Sequence, residues 1–179
     1  MSKYILKKPD MSYEKQIMLY KEELVKNNSY FAGTSQLNKY DNVEKWILNC
    51  KLFETKETCP PIAPIAHQYI YVDEEKNEIV GMIVIRVNAM EYADCREYGG
   101  HIGYSVLPSR RRQGIGTQML KDCLKICKNT FGLDRVMVNC FRDNEASEKI
   151  ILANGGIFDK EVYYKPKTNY IKRYWINLK

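Results

Sequence analysis

The amino-acid sequence predicts a single α/β (α+β) domain over residues 1–179, with a central β-sheet flanked by helices in the order βααβββαβαββ. Three observations predict it. Segments with apolar residues three and four apart are interleaved with shorter β-branched and aromatic segments. The prolines (9, 60, 61, 64, 108 and 166) fall between those segments. A chain of 179 residues that is 45% hydrophobic, with no repeat or low-complexity tract, fits one sizeable core.

Residues 3–7 read as a short first strand, ended by Pro9. Over residues 12–26, Tyr13, Ile17, Tyr20 and Leu24 recur at helical spacing and predict a first helix. Residues 27–40 mix turn formers with Tyr30, Phe31 and Leu37, as in an ordered loop beside a pocket. Asp41 followed by Glu44 has the form of a capping box, so a second helix is expected over residues 42–51, with Val43, Trp46, Ile47 and Cys50 on its apolar face. Three prolines make residues 52–66 a loop. Residues 67–72 and 78–87 then form a hairpin around the turn 73–77. The second of these strands is almost continuously apolar and so expected to be buried on both faces. Residues 88–100 are a polar loop.

Residues 101–117 read as strand, basic loop and helix start. Ile102, Tyr104 and Val106 alternate, Pro108 closes the strand, and from Ile115 the residues Leu120, Cys123, Leu124 and Cys127 form the apolar stripe of a helix over 115–129. Gly114 and Gly116 therefore lie at a helix N-terminus, where unpaired backbone N–H groups and the helix dipole attract anions. Arg110, Arg111 and Arg112 add fixed positive charge and can grip phosphate with two parallel hydrogen bonds. A di- or triphosphate compound is the expected ligand. No lysine follows Gly116, which excludes the nucleoside-triphosphate loop, and Met119 stands where a dinucleotide fingerprint needs a small residue.

Residues 135–141 form another strand, and residues from Asn144 form a helix that Gly155 and Gly156 close. Two aromatic, β-branched strands, 157–165 and 170–178, end the chain.

The run Arg111-Arg112-Gln113-Gly114-Ile115-Gly116 resembles the Gln/Arg-x-x-Gly-x-Gly/Ala motif of the GCN5-related N-acetyltransferases (GNAT). The resemblance covers the whole chain, because the element order is that of the family fold, with a mixed, mostly antiparallel sheet. It extends to Asn144, Ser147, Gly155 and Phe158 around the last helix. The runs 99–106, 154–156 and 173–176 are similar to a bacterial group of predicted acetyltransferases. The resemblance implies acetyl-CoA (or coenzyme A) as acyl-donor cosubstrate. Its pyrophosphate would lie on Arg111, Arg112, Gln113, Gly114, Ile115, Gly116 and Thr117, with Val106 and Leu107 pairing with the pantetheine arm and Asn144 and Ser147 nearby. Asn144 and Ser147 can equally serve as helix caps.

The implied reaction is direct attack of a primary amine, on a small molecule or peptide, at the thioester. That reaction needs a base, a donor to the carbonyl oxygen and an acid for the thiolate. A strand N–H near Val106 or Leu107 is the expected carbonyl donor. Relatives place the acid, a tyrosine, where this chain has Ile151, which leaves Tyr163, Tyr164, Tyr170 or solvent. His101, near the carboxylate position of relatives, is the catalytic candidate for the base, against the alternative of a histidine satisfied in a strand contact. Glu97 and Tyr104 are weaker candidates. The alternative function is a non-catalytic or regulatory acetyl-CoA-binding domain.

The six cysteines show neither a CxxC pair nor a histidine at metal spacing, so reduced thiols and no metal are expected. A net charge of +6 is dispersed outside the arginine triplet, which argues against nucleic-acid binding. With no apolar run of about 18 residues and no signal-peptide pattern, a soluble, cytoplasmic protein without a membrane partner is expected. The two terminal strands could carry a homodimer contact.

Overall fold

The computed structural model describes residues 3–178. Its strands are β1 (Tyr4–Lys7), β2 (Ala66–Asp73), β3 (Glu78–Arg86), β4 (Ile102–Val106), β5 (Arg135–Phe141), β6 (Ile157–Tyr164) and β7 (Asn169–Asn177). The helices are α1 (Glu14–Lys26), α2 (Val43–Leu52), α3 (Ile115–Asn129) and α4 (Glu145–Ala153). They follow one another in the order read from the sequence. The strands form one seven-stranded sheet, β1-β2-β3-β4-β5-β7-β6, antiparallel at every junction except β4–β5.

The period-two alternation of β2 and β3 builds two cores at once. Ile70, Val72 and Met82 face Ile17, Tyr20, Leu24 and Trp46 of α1 and α2. Tyr69, Tyr71, Ile83 and Ile85 face the opposite side, with Met119, Leu120, Cys123 and Cys127 of α3. Both hairpin strands are therefore covered on both faces. Cys123 and Cys127 pack there as small apolar groups, and all six cysteines are free thiols.

Three details differ from expectation. Asn42, not Asp41, caps α2: its side-chain oxygen accepts the Lys45 N–H at 2.9 Å, so the helix starts one residue late and no Asp41 box forms. The loop after β3 is not irregular throughout, since Ala89–Glu91 makes a 3-10 turn and Cys95–Gly99 a π-helical turn. The loop between α1 and α2 is pinned rather than merely ordered. The Trp46 indole donates to Thr34 O and the Gln68 amide to Gly33 O, at 2.9 and 2.8 Å.

Gly33 presses on β4. A Cβ there would lie 2.4 Å from Gly103 O and from Tyr104 Cα, and its φ of +71° is itself unfavourable to any side chain. Only glycine lets this loop close one side of β4.

The β4–β5 junction is the site of interest. The two parallel strands share one register pair, Ile102 with Val138, and then diverge.

Candidate active site

The cradle at the start of α3 comes first. Gly114 occupies the cap position with φ +74°, and a Cβ added there would meet nothing within 4 Å, so the space before the helix is open. The first N–H groups of α3 face it with the positive end of the dipole behind them. Arg112, also at positive φ (+61°), and Arg111 border the same space. Arg111 is braced across the opening, its Nε donating to Val106 O at 3.2 Å and its Nη2 to Ser29 Oγ at 3.0 Å.

The third arginine also lines this space, but its guanidinium is engaged: Arg110 pairs with Asp73 at 2.9 Å and Glu78 at 2.7 Å. Burial alone would raise the Asp73 carboxyl pKa, but Arg110 and Lys3 hold it below the ordinary carboxylate value. The triplet thus divides between a structural ion pair and the cradle.

From the cradle a cleft of about 620 Å³ runs along β4, bordered by Asn28, Val106, Ile115, Thr117 and Ile150. The divergence of β4 from β5 makes it. Hydrogen bonds alternate along an antiparallel pair. His101 O accepts from Arg86 and Leu107 donates to Val80 on β3, so odd-numbered residues of β4 serve β3. The backbone groups of Tyr104 and Val106 are thereby turned toward the gap.

That alternation corrects one expected residue. The Leu107 N–H is bound to Val80 O at 2.9 Å and its carbonyl already accepts Arg110 N–H at 2.8 Å, so Leu107 has no free backbone N–H, and it does not line the cleft. Val106 does line it. Gln113 is exposed and lies outside the cleft lining. Gly116 borders the cleft, yet its lack of a side chain answers to packing: a Cβ would fall 2.6 Å from Ile150 Cδ1 of α4.

Beyond Tyr104 the cleft continues into a second cavity of about 540 Å³. Tyr30, Ala32, Tyr104, Asn144 and Ser147 border both, so the two are one passage with a waist. Asn144 caps α4, its side-chain oxygen accepting the Ser147 N–H at 3.1 Å. The Tyr104 and Ser147 hydroxyls share a hydrogen bond of 2.7 Å at the waist. Burial pushes the Tyr104 pKa well above its ordinary value, so this phenol keeps its proton. Asn144 thus caps the helix, and both Asn144 and Ser147 border the passage.

His101 lies elsewhere. It is 5% exposed and borders neither cavity, and its Nδ1 accepts the Met137 N–H at 2.9 Å. Burial, with Arg86 and Arg135 nearby, pushes its pKa down to about 4. A neutral imidazole with one nitrogen committed to the backbone is a weak base with no path to the waist. The structure gives it the strand contact rather than the proton transfer. Ile151 is fully buried in the α3-side core, so the position at which relatives carry a tyrosine faces away from the passage here. Of the substitute hydroxyls, Tyr164 borders the second cavity, while Tyr163 and Tyr170 pack on each other at the surface, 5.2 Å between ring centres.

Several bordering residues were not anticipated: Arg86, Tyr98, Asn139 and Phe141 in the second cavity. Only Asn139 carried a signal, as a polar residue inside an otherwise apolar strand. The others converge from β3, the π-helical turn and β5, which no local pattern reports.

A family model described as "Acetyltransferase (GNAT) family" matches residues 40–153. An "Uncharacterized N-acetyltransferase YoaA" of Bacillus subtilis (strain 168) is 28% identical over 87 residues, 49% of this chain. The match spans 45% of that relative, less than half its length. Among solved structures, the microcin C7 self immunity acetyltransferase MccE, in complex with acetyl-CoA and AMP, superposes with a TM-score of 0.73 at 15% identity, covering 99% of this chain and 93% of that one. The ribosomal L7/L12 alpha-N-protein acetyltransferase RimL, in complex with coenzyme A, does so with 0.71 at 16% identity, covering 99% and 95%. These two likenesses establish the fold.

Proposed function

We propose that this chain, which belongs to the acetyltransferase (GNAT) family, is an acyltransferase that uses acetyl-CoA as its cosubstrate and transfers acetyl to a primary amine by direct attack on the thioester. The observation that carries this reading is the single passage from an anion cradle, along the seam where β4 and β5 part, to a cavity large enough for a second substrate.

The residues fit the cosubstrate. The α3 N-terminus with Arg111 and Arg112 suits a pyrophosphate. The inward backbone of Tyr104 and Val106 suits an extended amide-containing arm, as an added strand would. Bound acetyl-CoA would supply an activated acyl group.

The chain's own residues do the rest. Arg111 holds the mouth of the cleft by tying β4 to the α1–α2 loop. An inward N–H of β4, at Val106, is the donor for a carbonyl oxygen that gains charge. The Tyr104–Ser147 hydroxyl pair, protonated and at the waist, offers a hydrogen bond to the leaving thiolate, which takes up the proton lost by the attacking amine, directly or relayed through this pair. The second cavity admits the amine.

The test is thermal unfolding with acetyl-CoA, CoA and an oligonucleotide, followed by thiol release with a panel of amines. At a hundredfold excess over Kd, acetyl-CoA should stabilise by about 2.7 kcal/mol, or about 5–10 °C in Tm, and Arg111→Ala should reduce that shift. Stabilisation by the oligonucleotide alone refutes the reading, as does acetyl-CoA left intact with every amine.

A further inference from the structure

The second cavity contains a cation without a counter-ion. Arg86, the last residue of β3, borders it, and no carboxylate of the described residues lies within 4.0 Å of its guanidinium. Its polar contacts are from Nη1 to Gly99 O and Gly100 O, at 3.4 and 3.5 Å, longer than the usual range of about 2.7–3.2 Å. Nε and Nη2 have no partner among the described residues and are not sealed from solvent, and Arg86 lines the cavity.

The enclosed arginines show what this chain does with a guanidinium out of solvent. Arg110 is paired with Asp73 and Glu78, and Arg173 with Asp159 at 2.8 Å, while Arg96, Arg111, Arg112 and Arg135, which have no carboxylate partner among the described residues, are exposed. Among the enclosed three, Arg86 stands apart. A partly buried cation without a counter-charge costs stability that a structural role would have removed by pairing it.

The walls add a second requirement. Tyr30 and Phe141 lie 5.3 Å apart between ring centres, Phe141 and Tyr164 6.3 Å, and Tyr164 and Tyr98 4.9 Å, giving a continuous aromatic lining. Asn139 donates to Tyr98 O, which fixes its amide orientation, while its Oδ1 is buried without a partner.

We infer that the amine acetylated here carries a carboxylate and that Arg86 binds this carboxylate. The inference rests on the acceptor role assigned to the cavity above. The guanidinium stays beside Gly99 and Gly100, and Arg86 is three residues along β3 from Ile83, the register partner of Tyr104, or about 10 Å at strand rise. Carboxylate and reacting nitrogen are therefore several bonds apart, as in a short peptide with a free C-terminus or an ω-amino acid. A lone arginine fork matches one carboxylate, and the Asp94 carboxylate on the same cavity disfavours a dianion.

The experiment is calorimetric titration of the full chain, with and without CoA, using two matched pairs: glycyl-tyrosine against glycyl-tyramine, and 6-aminohexanoate against hexylamine. The carboxylate should bind about tenfold to a hundredfold tighter than its partner in at least one pair. Arg86→Gln should abolish that preference and leave the affinity for the decarboxylated member unchanged, with Arg86→Lys restoring part of it. Equal or tighter binding of the decarboxylated member in both pairs overturns the inference, as does no binding of any probe, tighter binding of phosphoethanolamine, or an equal loss for both members in Arg86→Gln. Acetyl-CoA affinity is measured separately. If it is present while the carboxylate preference is missing, the inference falls and acetyl transfer stands; if it is missing, acetyl transfer falls while the titrations still decide the Arg86 site.

Discussion

His101 makes the acid stability of this protein measurable at one residue. In the unfolded chain its imidazole titrates near 6.5, whereas in the fold burial, Arg86 and Arg135 push it down to about 4. Between those values the unfolded state binds a proton that the folded state refuses, so stability falls as pH drops from 6.5 and stops falling, for this group, below about 4. At about 1.4 kcal/mol per tenfold ratio, the full separation is worth about 3 kcal/mol. That is a large part of the roughly 5–15 kcal/mol of a folded domain. The perturbation is His101→Asn, whose side-chain oxygen can take over the acceptor role toward Met137 N–H without titrating. Urea unfolding at pH 7, 6, 5 and 4 should show a wild-type stability loss that exceeds the variant's by about one proton's slope. Parallel pH profiles for the two proteins, or a His101 ring resonance titrating near 6.5, would refute the reasoning. The pH profile of acetyl transfer should show no inflection from this residue.

Two further outcomes separate roles that adjacent residues or hydroxyls could confuse. Arg110→Ala strips the buried Asp73 carboxylate of its main partner, leaving Lys3 at 3.6 Å, and should cost about 1–3 kcal/mol in chemical denaturation with acetyl-CoA affinity unchanged. An affinity loss equal to that of Arg111→Ala would return Arg110 to the cradle. Tyr104→Phe should lower kcat about tenfold or more while acetyl-CoA affinity holds, since it removes the hydroxyl shared with Ser147; unchanged turnover in a stopped thiol-release assay would assign the thiolate's hydrogen bond to another donor.

The fold was legible because its signals are local. The helical spacing of Ile17, Tyr20 and Leu24 and the continuous apolar run of β3 report their own burial. The cradle was legible for the same reason, since Gly114 and the arginines adjoin a helix start in sequence. What escaped was set by distance. That the Arg110 guanidinium would be engaged depended on Asp73 and Glu78, thirty or more residues away. That Leu107 would spend its N–H on Val80 depended on the register of two strands, which alternates the direction of every backbone group. The inward faces of Arg86, Tyr98 and Phe141 meet only once the π-helical turn and the splay of β4 from β5 are in place. A capping pattern can also mislead by one residue where two suitable caps, Asp41 and Asn42, stand together.

The divergence of β4 from β5 gives the sheet four rims instead of two. The outer pair is short or studded with charge, β1 with four residues and β6 with Asp159, Lys160 and Glu161, as rims open to other molecules usually are. The inner pair needs no such defence. It faces itself across a slot that the Gly33 loop closes on one side and α4 on the other, so a foreign strand finds no way to lie down in it. The backbone along this slot, elsewhere in the sheet consumed by neighbouring strands, is left facing the cleft.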